Sequence, residues 1–170
     1  MANRAAPEGI RPATAADAEA IARIYGEGLA ERVATFETHE KSPVQFAELI
    51  EAGELILVAE HGARVVGFVK VGPYDDASHY YSAIGEVTLY VEAAARRSGV
   101  GSALMEAVAE AAAERGYYKL IGKIFTSNRA SIALVKACGW REVGVHRRHG
   151  RLDGEWKDVV VVERLIGDAG

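Results

Sequence analysis

Cysteine occurs once in the 170-residue chain, at Cys138, and that scarcity excludes an internal disulfide framework and any metal site built from several thiolates. Long apolar runs are missing as well. No stretch approaches the roughly 20 consecutive apolar residues of a membrane helix, and residues 1–9 lack the apolar core of a secretory signal. Excess charge of one sign is also absent. Twenty Lys and Arg stand against 24 Asp and Glu, a net charge of −4. Such weak acidity gives no general affinity for phosphate backbones or anionic surfaces, so neither nucleic acid nor membrane is an expected partner. No repeat, low-complexity tract or linker divides the chain. What is present, 49% apolar and 26% charged residues, suffices for one real core. The expectation is a single domain over 10–166, with a flexible segment 1–9 before it and a tail 167–170 after it, in a reducing, cytoplasmic compartment.

Periodicity supplies the elements. Ile10-Arg11-Pro12 reads as a short extended start. Ile21, Ile24, Tyr25 and Gly28 share one helical face, which predicts a helix over 15–29 behind Thr14 and Asp17. Ser42 and Pro43 supply a cap and an N1 proline for a second helix, Pro43–Glu51, ended by Gly53. Residues 55–59 and 65–71 are strands joined at His61-Gly62. Between Gly72 and Ser82 no period holds, so a long loop is expected. Then come a β-branched strand, Ile84–Val91, a helix over 99–115 with Leu104, Val108, Ala111 and Ala112 in one stripe, and a strand over 120–125. Asn128 opens a helix ending at Cys138 with Gly139 at C′, and strands 143–149 and 159–165 meet at the Leu152-Asp153-Gly154 turn. This order predicts an α/β (α+β) fold, a mixed, mostly antiparallel twisted sheet of about seven strands with about four helices on its faces.

The segment Arg96-Arg97-Ser98-Gly99-Val100-Gly101 lies between a strand end and a helix start. Two glycines there let main-chain N–H groups turn toward an anion, and the helix dipole and two arginines add positive potential. It is neither the dinucleotide Gly-x-Gly-x-x-Gly nor a Walker loop. A bland alternative is a tight turn with solvated arginines. Arg96-x-x-Gly99-x-Gly101 behind the Glu86–Val91 strand resembles the acetyl-CoA motif of the GNAT N-acetyltransferases. Residues 127–131 and Cys138-Gly139-Trp140 resemble the second block of that superfamily. The starts at Ile10 and Ala34-Thr35-Phe36-Glu37, and the ending Leu152-Asp153-Gly154 through Trp156 and Asp158, are similar to its phosphinothricin-type branch.

That resemblance, which spans about 10–166, implies the GNAT fold and acetyl-CoA as cosubstrate, with no metal. It implies that the strand over Glu86–Val91 bears a bulge and splays from its neighbour, that the main chain of Leu89, Tyr90 and Val91 contacts pantetheine, and that Arg96, Arg97, Ser98, Gly99, Val100, Gly101 and Ser102 hold the pyrophosphate. Glu86 becomes the general base and the Leu89 N–H the donor to the thioester oxygen. Asn128 fits a helix N-cap and, by resemblance, also contacts the cofactor, with Ser131 one turn inside. Many members carry a tyrosine as general acid where this chain has Val135. Tyr90, Tyr117 and Tyr118 are alternatives among which spacing does not choose. Cys138, Trp140 and Trp156 read as packing residues.

For the acceptor, the resemblance implies a small-molecule primary amine: an amino acid or analogue such as phosphinothricin, methionine sulfoximine or arsinothricin. Phe36, Tyr74 and Glu86 are expected to line its pocket. The branch often places two arginines between the tyrosine after Gly-Pro and the catalytic-strand glutamate. Residues 72–81 have none, and Asp75 and Asp76 appear instead. Either His79, Lys70 or Arg32 supplies the contact to the acceptor's anion, or the acceptor is cationic, or the aspartates are solvated turn formers. Other amines, namely a polyamine, an aminoglycoside or a protein N-terminus, stay open, as does a CoA-binding regulatory module without turnover. The basic stretch His146 to Arg151 reads as a solvated edge or a dimer contact rather than a zinc or nucleic-acid site, and the resemblance implies a homodimer.

Overall fold

Every expected element forms, and the differences lie at their ends. The computed structural model describes residues 8–74 and 79–170. Most of the segment expected to be flexible, and the Asp75-Asp76 pair, lie outside the described residues. Strand β1 (Gly9–Pro12) leads through a 3-10 turn (Ala15–Asp17) into α1 (Ala18–Ala30). Helix α2 (Pro43–Glu51) opens as the sequence demands: the Ser42 hydroxyl accepts from Gln45 N–H while the Gln45 side chain reaches back to Ser42 N–H, a complete capping box. Then follow β2 (Leu55–His61), β3 (Arg64–Pro73), β4 (Ile84–Val91), α3 (Val100–Glu114), β5 (Lys119–Phe125), α4 (Arg129–Ala137), β6 (Arg141–Leu152) and β7 (Glu155–Leu165). Among the described residues no helix is long and apolar enough to cross a membrane.

The strands form one seven-stranded sheet in the order β1-β2-β3-β4-β5-β7-β6. Only β4 and β5 run parallel, and every other pair is antiparallel. Apart from the exposed β6 edge, helices pack on both faces of the sheet. Helices α3 and α4 cover one, where Leu104, Val108 and Ala112 pack with Leu57, Val69 and Leu120. Helices α1 and α2 cover the other, where Ile21, Ile24 and Phe46 meet Val58 and Phe68. Ile21 and Ile24 are essentially inaccessible, and burying such a side chain stabilises by about 1.5–3 kcal/mol. Leu89 and Val91 of β4 pack on the α3 side, while Tyr90 belongs to the α1 side. The strand thus alternates as pleating requires.

Two boundaries differ from expectation. The 72–82 loop is shorter in part, because β3 runs on to Pro73 and residues 79–81 form a 3-10 turn. Strand β6 runs from Arg141 to Leu152 instead of 143–149, because it is an edge strand exposed along most of its length and carries no inward alternation to read. It is interrupted where Arg147, Arg148 and His149 stand opposite Asp158 alone. Asp158 holds this bulge by accepting from Arg148 N–H at 2.7 Å, with Arg148 at positive φ.

Candidate active site

The parallel pairing of β4 and β5 covers only three residues, Ile84, Gly85 and Glu86 against Lys119, Leu120 and Ile121. Beyond Glu86 the two strands part. No bulge assists this, since β4 pairs with β3 without interruption from Pro73↔Gly85 to Gly67↔Val91, so the implied bulge is absent from that ladder. The gap is a cleft of about 410 Å³, walled by β4, by β5 from Gly122 to Phe125, by α4 and by the 34–37 segment. That size is typical of a small-molecule site.

The β3 ladder decides which main-chain groups face this gap. Glu92 N–H donates to the Val66 carbonyl and Tyr74 N–H to the Ile84 carbonyl. Hydrogen-bonded pairs recur at every second residue of an antiparallel ladder, so residues 86, 88 and 90 turn their main chain to β3. Leu89 and Val91 turn theirs toward β5. Tyr90 therefore leaves the expected set of main-chain contacts: its amide belongs to the Phe68 pair, and its ring stacks on Phe68 and meets Tyr25 edge-on. Burial pushes the Tyr90 phenol well above its usual value, so it holds its proton. Tyr117 and Tyr118 precede β5 at the closed end of the wedge, and Val135 lines the cleft as an apolar residue.

Past β4 the chain turns into α3 through the Arg96–Ser102 segment, whose side chains have separate parts. Gly99 caps α3 at φ 92°, a left-handed conformation in which a side chain is strained. The first helical bond runs from Ala103 N–H to the Gly99 carbonyl. The amides of Val100, Gly101 and Ser102 precede it and have no acceptor within the helix. Arg97 is exposed, at φ 59°. Arg96 is otherwise engaged: its Nε donates to the Val91 carbonyl at 2.9 Å and its Nη1 pairs with Glu31 at 2.8 Å. Its guanidinium fastens the loop to the end of β4, and the Ser98 hydroxyl fastens it again by donating to the Ala95 carbonyl. A Cβ on Gly101 would come within 3.1 Å of Leu134, so this glycine also brings α3 close to α4. The Ser102 hydroxyl meets the Cys138 thiol, whose proton affinity burial raises.

On α4, Asn128 caps the helix as expected, its Oδ1 accepting from Ser131 N–H at 3.1 Å. Its Nδ2 donates to the Val33 carbonyl at 3.3 Å, so the same side chain ties α4 to the 31–37 segment. Asn128 and Ser131 both line the cleft. Trp140 lines it too, and its indole N–H is buried without a partner, alone in this among the buried side-chain polar atoms of the described residues.

At the end of the cleft where β4 and β5 part stands Glu86, on the same sheet face as Thr88. Lys123, two residues past Glu86's partner Ile121, projects to that face and meets Glu86 Oε2 at 2.9 Å. Its ammonium also lies 5.9 Å from the centre of the Tyr74 ring, which contacts Tyr81 edge-on. Phe36 lines the cleft and packs edge-on against Phe125 at 4.7 Å. Of the cations expected as alternatives, Lys70 pairs with Glu54 at 2.6 Å, Arg32 approaches Asp153 at 3.4 Å, and His79 stacks on Tyr80. Sequence reasoning missed Lys123. Strand β5 holds Lys119 as well as Lys123, so a lysine there is no signal by itself, and what singles Lys123 out is the β4–β5 register that sets it beside Glu86. The rings of His146 and His149 stack at 4.6 Å, with His149 at the cleft wall.

A splayed parallel pair with main-chain groups turned into the gap, leading to a helix N-terminus with free amides, suits an extended ligand that pairs with a strand edge and ends in an anion. The chain belongs to the GNAT acetyltransferase family, whose model, described as Acetyltransferase (GNAT) family, matches residues 20–140. It is 31% identical over 156 residues to a phosphinothricin N-acetyltransferase of Streptomyces viridochromogenes, covering 90% of this chain and 85% of that one. Among solved structures it resembles a ribosomal-protein-alanine N-acetyltransferase from Brucella melitensis (TM-score 0.88, 30% identity, 93% and 99% coverage). It also resembles a phosphinothricin acetyltransferase from Sinorhizobium meliloti in complex with acetyl-CoA (TM-score 0.86, 27% identity, 94% and 89% coverage). The protein is an acetyl-CoA-dependent acetyltransferase of this family. The residues fit that cosubstrate, with unsatisfied amides for a diphosphate and an orphaned indole N–H beside the cleft.

Proposed function

We propose that the protein acetylates the primary amine of a small amino-acid-like acceptor by direct transfer, with Glu86 as general base. One observation carries this reading: the Glu86 carboxylate and the outward-turned main chain of Leu89 border one cleft, three residues apart on β4, where that strand leaves β5. Acetyl-CoA supplies an activated acetyl thioester when bound. The amides of Val100, Gly101 and Ser102, with Arg97, would hold its diphosphate, and the main chain of Leu89 and Val91 would meet its pantetheine arm. Alkylammonium groups titrate near 10, so the incoming amine must lose a proton before it attacks. Glu86, directly or through one water, takes that proton. The Leu89 N–H is the donor available to the carbonyl oxygen as negative charge grows there, and as the new C–N bond forms the thioester C–S bond breaks, its sulfur leaving as a thiolate that takes a proton from water. Asn128 and Ser131 shape the wall through the α4 cap.

The Glu86→Gln variant tests the assignment. We expect kcat to fall by about 10²–10⁴-fold, the usual worth of a positioned base, with acetyl-CoA affinity nearly unchanged in calorimetry. Wild-type turnover in that variant from pH 6 to 9 removes Glu86 from the mechanism. Thiol release assayed over a panel of amines tests the acceptor class: turnover on spermidine but not on phosphinothricin reassigns it to a cation. The same proposal places the enzyme in the cytoplasm, in keeping with a single, buried, reduced Cys138. It also makes the enzyme a homodimer, supported by Val143 and Val145 lying half-exposed on the outermost strand β6.

A further inference from the structure

The Glu86–Lys123 pair is a charge pattern in its own right. Both side chains are about one-third or more exposed, Lys123 at 41% and Glu86 at 32%, so the pair is open to the cleft and an incoming ligand can replace it. A negative and a positive group 2.9 Å apart on adjoining strands match, with opposite sign, the ammonium and carboxylate carried on one carbon of an α-amino acid. The neighbouring cations are otherwise engaged: Lys70 on Glu54 and Arg32 on Asp153. Lys123 makes no ion pair with a second carboxylate among the described residues, and its other neighbour is the face of the Tyr74 ring. That ring sits beside the ammonium without neutralising it.

From this geometry we propose that Lys123 is the anchor for the acceptor's carboxylate and determines specificity. The acceptor's nitrogen goes to Glu86 and its carboxylate to Lys123, so one protein ion pair is exchanged for two ligand contacts, both charge-assisted. A polyamine would bring a second ammonium against Lys123 with no anion to offset it, so the residue selects against cations as well as for zwitterions. Lys123 makes up for the arginines missing from the 72–81 segment, from the opposite strand. The inference rests on the amino-acid reading above, and the test separates the two.

L-Methionine sulfoximine has a single anionic group, so we compare it with its carboxamide as acceptor for the wild type, Lys123→Met, Lys123→Gln and Lys123→Arg. Folding is checked by thermal melting, and an exposed position with two neutral replacements guards against the loss of either one. The expected result is a KM for the sulfoximine raised about tenfold or more in the neutral variants, the usual worth of a charged hydrogen bond. Its kcat should be little changed, the carboxamide KM nearly constant, and Lys123→Arg close to wild type. Equal losses on both acceptors, or no loss on either, overturn the assignment while leaving the amino-acid reading intact. A wild type that acetylates spermidine but neither test compound overturns the amino-acid reading and Lys123's role with it.

Discussion

At the scale of single residues, the cleft depends on where side chains are omitted as much as on where they are present. A Cβ built on Gly150 would fall 2.7 Å from Cζ of Phe36, inside any tolerable contact. Phe36 has little room to yield, because its ring is already held edge-on against Phe125. Gly150→Ala should therefore cost about 1–3 kcal/mol of stability, as overpacking does. It should also displace Phe36 from the acceptor wall. The expected kinetic result is a raised acceptor KM with an unchanged dissociation constant for acetyl-CoA, since the phosphate cradle lies at the far end of β4. Equal weakening of both would mean that Phe36 holds the whole wedge rather than the acceptor end. Residues of this kind were only partly legible in the sequence. Glu86 stood out because it is the one carboxylate in its strand, and Phe36 because of the motif around it, and the structure sets both on the cleft wall. Lys123 was passed over because no local pattern shows the β4–β5 pairing that sets it beside Glu86. Arg96 was read as a phosphate ligand because a motif shows charge but not the carbonyl and carboxylate that already occupy it.

At the scale of elements, local chemistry was legible wherever it acts over three or four residues, as in the Ser42 capping box, the Asn128 cap and the alternation of β4. It was not legible where an element is fixed by a distant partner. The start of α1 is such a case. Asp17, which the sequence offered as part of a helix start, accepts from Thr14 N–H and from both terminal nitrogens of Arg11 on β1, while Arg11 also reaches Glu60 on β2. The Arg11 guanidinium, helped by Thr14, holds the Asp17 carboxyl down to about 2 against the burial that opposes it. An unfolded aspartate titrates near 3.9. Because the folded value is the lower one, the contribution to stability is fully present above about pH 4 and is lost as pH falls toward 2, and it amounts to about 2 kcal/mol. Urea unfolding of the wild type and Asp17→Asn should differ by roughly that amount at pH 7, and the gap should close by pH 2. A gap that stays constant with pH would show that Asp17 stabilises the fold through shape alone.

At the scale of the whole molecule, the sheet order turns two ordinary α-on-β layers into an enzyme by breaking one pairing. Each layer has its own core, α3 and α4 on one face, α1 and α2 on the other, and both remain intact where β4 and β5 separate. The far edge of the sheet presents the opposite situation, a strand whose outer side has nothing to pair with. Strand β6 leaves Val143 at 49% and Val145 at 46% exposure, with Trp156 of β7 at 49%. An open edge with apolar side chains is a liability unless a partner covers it. The homodimer proposed above supplies such a cover, and its second consequence concerns activity. The bulge at Arg147 to His149 lies on the same strand and brings His149 to the cleft wall, so a partner seated on β6 would also steady the acceptor end of the site. Sedimentation equilibrium at micromolar concentration should accordingly give twice the 18.2 kDa chain mass. Paired Val143→Glu and Val145→Glu substitutions, which place charge where the isolated chain already tolerates water, should give monomers with an unchanged circular dichroism spectrum, unchanged acetyl-CoA affinity and a raised acceptor KM. A wild type that sediments as a single chain removes the dimer. A dimer that persists in the double variant moves the interface off β6.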